Sequence, residues 1–273
     1  MPLLHIVILA LVQGLTEFLP ISSSGHLVLI WDGFDRAGWE TPETAQSDRL
    51  IIDVAVHVGT LLAVSLYFWR DIAQMVVGLA RLVLGQGGPG ARLAFYILIG
   101  SVPIVIVGGV FKDPISELLR STAAVAWTTI GFGILLFLGD RFGMTVRRVE
   151  HMSASSAILI GLAQTLALIP GTSRSGITMT AARFLGFERP EAARFSLLLA
   201  IPAIAGAGTL AGLDLYGTGS LQVGIDALFG AAIAFVVALA AIDLMLRWLR
   251  RAGFTPFVIY RILLGIALLI WVA

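Results

Sequence analysis

Six apolar stretches, each long enough to cross a bilayer, constrain the fold of this chain more than any other feature. A helix needs about 20 apolar residues to span the hydrocarbon core of a membrane. Only 13% of the 273 residues are charged, whereas a soluble domain carries about 25%. The pattern predicts an all-α polytopic membrane protein with six full transmembrane helices, at residues 50–69, 93–111, 121–140, 192–213, 222–246 and 254–272.

Two shorter apolar runs are interrupted by polar residues. Residues 3–12 lead into the stretch QGLTEFLPISSSGH, and residues 157–169 lead into PGTSRSGIT. Runs of about 10–14 apolar residues are more typical of re-entrant segments than of full crossings. Proline, glycine and serine are tolerated at membrane depth where protein or a wet cavity covers the backbone. We therefore expect two helix–loop–helix hairpins, each entering and leaving on one face of the membrane.

The two hairpins resemble each other when the chain is shifted by 151 residues. The matching pairs are Gln13 with Gln164, Leu15 with Leu166, Ser22 with Ser173, Ser24 with Ser175, and Gly25 with Gly176. Each hairpin precedes three full spans, an odd number, so the second unit is inverted relative to the first. The sequence thus predicts a single membrane domain, residues 1–273, made of two inverted repeats at 1–140 and 152–273. Inverted repeats with broken helices are an architecture of transporters.

The distribution of arginines predicts the orientation. In this topology, loops 70–92, 141–151, 183–194 and 247–253 share one face and hold twelve arginines. The opposite face holds four basic residues, which are Arg36, Arg49, Lys112 and Arg120. Arginine-rich loops stay in the cytoplasm, so both termini and the mouth of the first hairpin are expected outside it.

Composition excludes several classes of function. The net charge is only +1, and no basic patch is interleaved with aromatic residues, so we expect no nucleic-acid partner. The chain has no cysteine, which excludes disulfides, thiolate metal sites and cysteine nucleophiles.

A carboxylate in the first hairpin is the first candidate functional group, because charges at membrane depth are costly and are usually functional. Gln13 and Glu17 are four residues apart and therefore lie on one face of a helix. A carboxylate there needs a metal ion, an arginine or a proton. One alternative to a functional site is that Arg174 pairs with Glu17 only to hold the two hairpins together.

Hydroxyls and a histidine follow in the same hairpin. Ser22, Ser23 and Ser24 precede His26. For at least one of the three serines we expect simple capping of the next helix. His26 can accept and donate a proton near neutral pH, and beside Glu17 it is a candidate catalytic group.

The stretch PGTSRSGIT has the features of a phosphate cradle. Gly171 lets the backbone turn so that consecutive N–H groups converge, and the following helix adds its N-terminal partial positive charge. Arg174 supplies a fork of donors that matches phosphate oxygens. Ser173, Ser175 and Thr178 supply further donors.

The remaining ionisable residues within or near apolar segments are expected to have other roles. We expect His5, His57 and His151 to be structural or surface residues. Arg261, inside the last span, is expected either to extend its charge to the membrane surface or to pair with a carboxylate.

Together these two polar stretches resemble the signature motifs of the bacterial undecaprenyl-diphosphate phosphatase family of the bacitracin-resistance type. The family has a motif of the form (E/Q)xxxE, matched by Gln13 and Glu17. Its second motif, PGxSRSxxT, is matched at every fixed position by residues 170–178. The similarity extends over nearly the whole chain. Many members have glutamate where this chain has Gln13, so this chain lacks one negative charge at the expected metal site.

The resemblance implies an integral enzyme of the bacterial cytoplasmic membrane with its active site toward the periplasm. It would hydrolyse undecaprenyl diphosphate to the monophosphate carrier lipid and inorganic phosphate. Recycling this carrier supports peptidoglycan and other envelope polymers and confers bacitracin resistance. The resemblance also implies dependence on a divalent cation.

In such an enzyme the phosphate would lie between the two hairpin tips, held by Arg174 and nearby N–H groups, with Ser22 among the contacts. Mg²⁺ or Ca²⁺ would be bound by Glu17 with help from Gln13. Three nucleophiles stay open: Ser23 with His26 as general base, His26 itself, or water activated by His26.

A transporter or flippase of the polyprenyl phosphate lipid is the alternative, because it would use the same inverted repeats and arginine. A histidine with a nucleophilic hydroxyl nearby favours the enzyme, since transport does not require it. A homodimer is left open.

Overall fold

The computed structural model describes residues 2–38, 42–118, 121–214 and 221–272, and within them it contains eleven α-helices and no β-strand. In chain order the helices are α1 (Leu3–Thr16), α2 (Ser23–Arg36), α3 (Pro42–Tyr67), α4 (Trp69–Val83), α5 (Pro89–Leu118), α6 (Thr122–Phe142), α7 (Ala154–Thr165), α8 (Arg174–Phe184), α9 (Arg189–Asp214), α10 (Leu221–Leu249) and α11 (Thr255–Val272). Short 3₁₀ turns precede and follow α7. The all-α prediction is confirmed.

Six of the described helices are long and apolar enough to cross a membrane, as predicted. They are α3, α5, α6, α9, α10 and α11. The segments Leu3–Thr16 and Ala154–Leu168 are apolar but shorter, and they coincide with the two half-length runs of the sequence. The chain is a multi-pass membrane protein.

The segment after the first span differs from the prediction, because residues 70–92 were expected to be a loop and instead include the helix α4. α4 is amphipathic, with exposed apolar side chains such as Val83 alongside Arg70 and Arg81. With 15 residues and several charged side chains, α4 is too short and too polar to cross a membrane. Amphipathic helices of this kind lie along membrane surfaces.

The two helix breaks share an unusual backbone geometry. Ser22 precedes α2 with φ 72°, Ser173 precedes α8 with φ 71°, and among the described non-glycine residues only these two have positive φ. Their hydroxyls accept hydrogen bonds from the N–H groups of Gly25, at 3.4 Å, and Gly176, at 3.1 Å. Both serines therefore cap the helix that follows, which confirms the capping expected for at least one serine of the first hairpin.

Close helix packing places the two short helices against spans from the other half of the chain. α1 packs on α10, and α7 packs on α5. Small residues permit this approach: a Cβ on Gly14 would lie 2.8 Å from the Ala234 carbonyl oxygen, and one on Gly161 would lie 2.2 Å from that of Gly100.

A buried ionic cluster joins α6, α8, α9 and α11 at a distance from the helix breaks. Arg183, which the sequence analysis assigned to a loop, is fully buried and donates to the Met144 carbonyl at 3.0 Å. Its Nε lies 3.4 Å from the Asp140 carboxylate. Asp140 also accepts from Arg189 Nε at 2.6 Å and from the Phe254 N–H at 3.1 Å. The cluster fixes the ends of four helices to one another.

We expect Gly161→Ala to lower the thermal unfolding midpoint of the purified protein, because the added methyl group must displace the Gly100 backbone. Overpacking of this kind costs about 1–3 kcal/mol. Gly131→Ala is the matched control, since a Cβ there meets no atom within 4 Å and alanine favours the helix. Equal midpoints for the two variants would contradict the tight α5–α7 contact.

Candidate active site

The Glu17 carboxylate is where the two polar stretches meet. Its Oε1 accepts from Arg174 Nη2 at 2.8 Å, and its Oε2 accepts from Gln13 Nε2 at 3.0 Å and from Ser23 Oγ at 2.5 Å. The Glu17 side chain is only 6% exposed. The structure thus brings together four of the predicted site residues, and the Arg174–Glu17 pair is present.

Two loops meet at this cluster: the first, residues 17–22, precedes α2, and the second, residues 169–173, precedes α8. A second contact joins the start of α8 to the first loop. Ser175 Oγ donates to the Leu19 carbonyl at 2.9 Å and lies 3.2 Å from Ser173 Oγ. Thr178 points to α9, where its hydroxyl lies 2.6 Å from Ser196 Oγ. The hydroxyls of Ser175 and Thr178 are thus engaged within the protein, although both residues were predicted to bind phosphate.

Gly171 is required by packing on α6. Its φ is 89°, a conformation that favours glycine. A Cβ at this position would lie 2.2 Å from Thr128 Oγ1, which itself donates to the Pro170 carbonyl at 2.6 Å. The glycine lets the second loop lie directly against α6.

A cavity of about 380 Å³ opens beside the Glu17 cluster. Its polar residues are grouped around the two loops and α3, and they are Glu17, Ser23, Ser24, Asp53, His57, Ser173 and Arg174. The rest of its wall is apolar and comes mainly from α3, α5 and α9 with the end of α7, and it is formed by Leu50, Val54, Ile104, Ala167, Leu168, Ala203, Ile204, Ala207 and Gly208. Of the predicted site residues, Gln13, Ser22, His26, Gly171, Ser175 and Thr178 are not among those that line it.

His57 lines the cavity, although the sequence predicts a structural or surface role for it. Its Nδ1 lies 2.6 Å from the Asp53 carbonyl oxygen, an acceptor, so Nδ1 carries the proton of that hydrogen bond. Its Nε2 lies 3.8 Å from Glu17 Oε2, and the side chain is 33% exposed. The signal in the sequence was the spacing of Asp53 and His57, two polar residues four apart within an apolar span.

His26 is not brought to the Ser23 hydroxyl. Its Nδ1 lies 2.6 Å from the Ser22 carbonyl oxygen, and its Nε2 lies 2.6 Å from the Tyr260 hydroxyl. The ring also stacks on Tyr260 of α11, with centroids 5.7 Å apart. The contact with Tyr260 thus holds His26 away from the cavity, while Ser23 lines it.

Arg261 differs from both expectations. It is fully buried, at 0% exposure, so its charge does not reach the membrane surface. Its guanidinium donates to backbone carbonyls, and no ion pair with a carboxylate is found for it in the part of the chain that the structure describes. Its carbonyl partners lie in both loops.

The residues offer part of a site for a hard cation. No cluster of three or more His, Asp or Glu side chains with metal-binding geometry occurs among the described residues. Gln13 Oε1 is buried and has no hydrogen-bond partner among the described residues. The nitrogen of the same amide, Nε2, donates to Glu17. Amide and carboxylate oxygens suit Mg²⁺ and Ca²⁺. Two such groups fit a cation whose other ligands come from a bound molecule.

The fold and the cavity define a multi-pass membrane protein with a buried carboxylate–arginine site beside an apolar chamber. A family model described as bacitracin resistance protein BacA matches residues 6–267. The chain belongs to this family, which confirms the family predicted from the two motifs.

Curated relatives cover almost the whole chain. The undecaprenyl-diphosphatase 1 of Rhodospirillum rubrum is 54% identical over 98% of this chain and 95% of its own length. The undecaprenyl-diphosphatase of Hahella chejuensis is 49% identical over 98% of this chain and 97% of its own length. That of Roseobacter denitrificans is 47% identical over 99% of both chains.

We expect Gly171→Ala to lower the thermal unfolding midpoint strongly, because the new methyl group meets Thr128 Oγ1 at 2.2 Å in a backbone conformation that disfavours it. Gly38→Ala is the matched control, since Gly38 also has positive φ, 67°, but a Cβ there meets no atom within 4 Å. The difference between the two midpoints isolates the contact with α6. Similar midpoints would show that only the dihedral angle matters.

Proposed function

We propose that the chain hydrolyses undecaprenyl diphosphate to undecaprenyl phosphate and inorganic phosphate. The names of the curated relatives support this reaction. The observation that carries it is the contact of Arg174 from one loop with Glu17, which in turn binds the Ser23 hydroxyl, at the polar end of an apolar cavity. A phosphate-binding group, a carboxylate base and a hydroxyl nucleophile are thus adjacent.

The cavity suits an amphiphile. Its apolar wall, with residues such as Leu50, Ile104 and Ile204, offers prenyl units surroundings as apolar as the lipid tails that they leave. Its polar end holds the groups that would meet the diphosphate. A lipid diphosphate fits this division better than a soluble phosphate ester does.

Arg174 binds the terminal phosphate in this proposal. A guanidinium has five N–H donors, and the contact with Glu17 uses Nη2 alone. The remaining donors can reach phosphate oxygens while the pair with Glu17 persists. Fixed donors that face a phosphoryl group stabilise charge on its equatorial oxygens as the transition state forms.

Ser23 is the nucleophile that the geometry favours, with Glu17 as its base. Ser23 Oγ already donates to Glu17 Oε2, so Glu17 takes that proton as Oγ bonds to the terminal phosphorus. The bridging P–O bond breaks, and the lipid monophosphate leaves. Water then hydrolyses the phosphoserine and releases inorganic phosphate. The base role predicted for His26 passes to Glu17, because both ring nitrogens of His26 are engaged elsewhere.

A divalent cation, Mg²⁺ or Ca²⁺, is part of the proposal. Glu17 and the unpartnered Gln13 Oε1 would hold it together with diphosphate oxygens. When bound, it would neutralise charge on the diphosphate. The protein's own contribution is to hold the Gln13 amide against the Glu17 carboxylate and out of bulk water.

We further propose that the α1–α2 and α7–α8 pairs are re-entrant hairpins of two inverted repeats. The shift of 151 residues carries the first residues of α1 and α2, at 3 and 23, onto those of α7 and α8, at 154 and 174. It also carries Ser22 onto Ser173, the two serines with positive φ. The packing of α1 on α10 corresponds to that of α7 on α5.

Orientation follows from the arginines. The cavity and both termini would face the periplasm from the bacterial cytoplasmic membrane. Arg120, used in that prediction, lies outside the described residues, as does the side chain of Lys112. A phosphatase at this position returns the carrier lipid to envelope synthesis and thereby opposes bacitracin. Transport of the lipid is not favoured, since it would not require a hydroxyl bonded to a buried carboxylate.

The first test is release of inorganic phosphate from farnesyl or undecaprenyl diphosphate by the purified protein in detergent, with and without Mg²⁺. We expect Arg174→Lys to lose at least about 100-fold in kcat/KM, because a point charge cannot replace the guanidinium fork. Arg194→Lys is the control, since Arg194 is ion-paired with Asp71 away from the cavity. Full activity of Arg174→Lys would mean that Arg174 only joins the loops, and no release by folded wild type would favour transport.

The nucleophile is tested with two adjacent serines that both line the cavity. We expect Ser23→Ala to lose at least about 100-fold in kcat, because Ser23, unlike Ser24, donates a hydrogen bond to Glu17. Ser24→Ala should keep most of its activity, since its hydroxyl contacts Ser22 at 3.4 Å. Quenching with denaturant at neutral pH, with labelled substrate, should trap an acid-stable phosphate on Ser23. An acid-labile label on His26, or no label on either residue, would replace the serine route by one of the other two.

A further inference from the structure

Arg261 connects both loops of the candidate active site to one point on α11. Its Nη1 donates to the Pro20 carbonyl at 3.1 Å. Its Nη2 donates to the carbonyls of Gly171, at 2.9 Å, and Thr172, at 3.0 Å. Its Nε donates to the Thr129 carbonyl of α6 at 3.0 Å. One guanidinium thus binds the loop before α2, the loop before α8 and the helix α6.

Two glycines make room for this side chain. A Cβ on Gly133 of α6 would lie 3.2 Å from Arg261 Cβ, and one on Gly176 of α8 would lie 3.0 Å from Arg261 Nη1. Gly176 belongs to the PGTSRSGIT stretch, where a glycine would ordinarily be attributed to phosphate binding. Here it leaves space for the guanidinium.

The carbonyls that Arg261 binds are close in sequence to the reacting groups. Pro20 lies between Glu17 and Ser23, and Thr172 lies two residues before Arg174. The four hydrogen bonds therefore set the distance between the loops that carry these groups. Arg261 is not among the residues that line the cavity. It therefore acts through the loops and not on the substrate.

We propose that Arg261 is the positioning residue of the candidate active site, holding the Glu17–Ser23 loop and the Arg174 loop in register. The kinetic part of this inference rests on the proposed function, and the part about the loops does not. Misplacement of reacting groups by about 1 Å can cost about 100-fold in rate. Loss of these four bonds removes the Arg261 donors from the carbonyls of Pro20 and Thr172, which is unfavourable in an apolar interior.

Lysine cannot replace arginine in this role. Three guanidinium nitrogens lie at fixed positions in one plane and meet four carbonyls on three elements. A lysine has one nitrogen with three donors on a flexible stem. Arg261→Lys keeps the buried positive charge and much of the volume but loses the fixed fork, so it isolates geometry from charge.

Arg183→Lys is a matched control. Arg183 is also fully buried and also donates to several backbone carbonyls, but these belong to the ends of α6 and α8 and to residues beside them. None of the hydrogen bonds that Arg183 makes with the described residues reaches either loop of the site. Both variants should be compared with wild type at equal purity, with thermal unfolding midpoints measured first.

The experiment combines hydrogen–deuterium exchange with steady-state kinetics. In Arg261→Lys, we expect amides of residues 17–25 and 169–176 to exchange at least tenfold faster, while residues 140–147 keep the wild-type rate. In Arg183→Lys the pattern should be reversed. For hydrolysis of farnesyl diphosphate, kcat of Arg261→Lys should fall about 100-fold with little change in KM, and that of Arg183→Lys much less.

The outcomes separate this inference from the proposed function. Unchanged exchange in both loops of Arg261→Lys overturns the positioning role, and so do equal losses of kcat in the two variants. A kcat of Arg261→Lys near the wild-type value overturns it as well. Faster exchange confined to the two loops, in a protein whose wild type releases no phosphate, supports the positioning of the loops and rejects the phosphatase.

Discussion

Two helices are broken inside an apolar protein, and the backbone groups freed at those breaks must find partners. Within a membrane no water replaces the lost helical hydrogen bonds. Here side chains from other elements supply the donors: Arg261 to Pro20 and Gly171, Thr128 to Pro170, and Ser175 to Leu19. Neither break is satisfied by the two helices that flank it alone. The loops therefore take their final conformation only when both halves of the chain have assembled.

The charges of the site obey the same constraint. A buried carboxylate is costly unless it is paired and hydrogen-bonded, and Glu17 has three donors, from Arg174, Gln13 and Ser23. The interactions that make the buried carboxylate tolerable also place beside it the Ser23 hydroxyl, which is the proposed nucleophile, and Arg174, which is the proposed phosphate-binding group. Stability of the loops and arrangement of the candidate site are therefore one problem with one solution.

The two histidines separate what was predictable from what was not. The sequence favours His26 because it lies near Glu17, and it predicts a structural or surface role for His57, which lies in a span. The structure places His57 in the cavity wall and His26 against Tyr260. A periodicity argument places residues on a helix but does not say which neighbour each face will meet. The contact between His26 and Tyr260 of α11 explains the first case, and the position of α3 beside the loops explains the second.

The six long apolar helices, the two breaks, a capping serine at the first break and the family could all be predicted from the sequence. These follow from local properties: the length of an apolar run, and the conformational preferences of proline, glycine and serine. The sequence also indicated a pairing of Arg174 with Glu17, as an alternative to a functional site, because a buried charge needs a partner. Three features became known from the tertiary structure alone. Ser23 bonds to Glu17, the hydroxyls of Ser175 and Thr178 bind other groups of the protein, and Arg261 donates to both loops. The reason is that the rotation of a helix about its axis, and the reach of a long side chain between distant segments, are set by packing among elements that lie far apart in the chain.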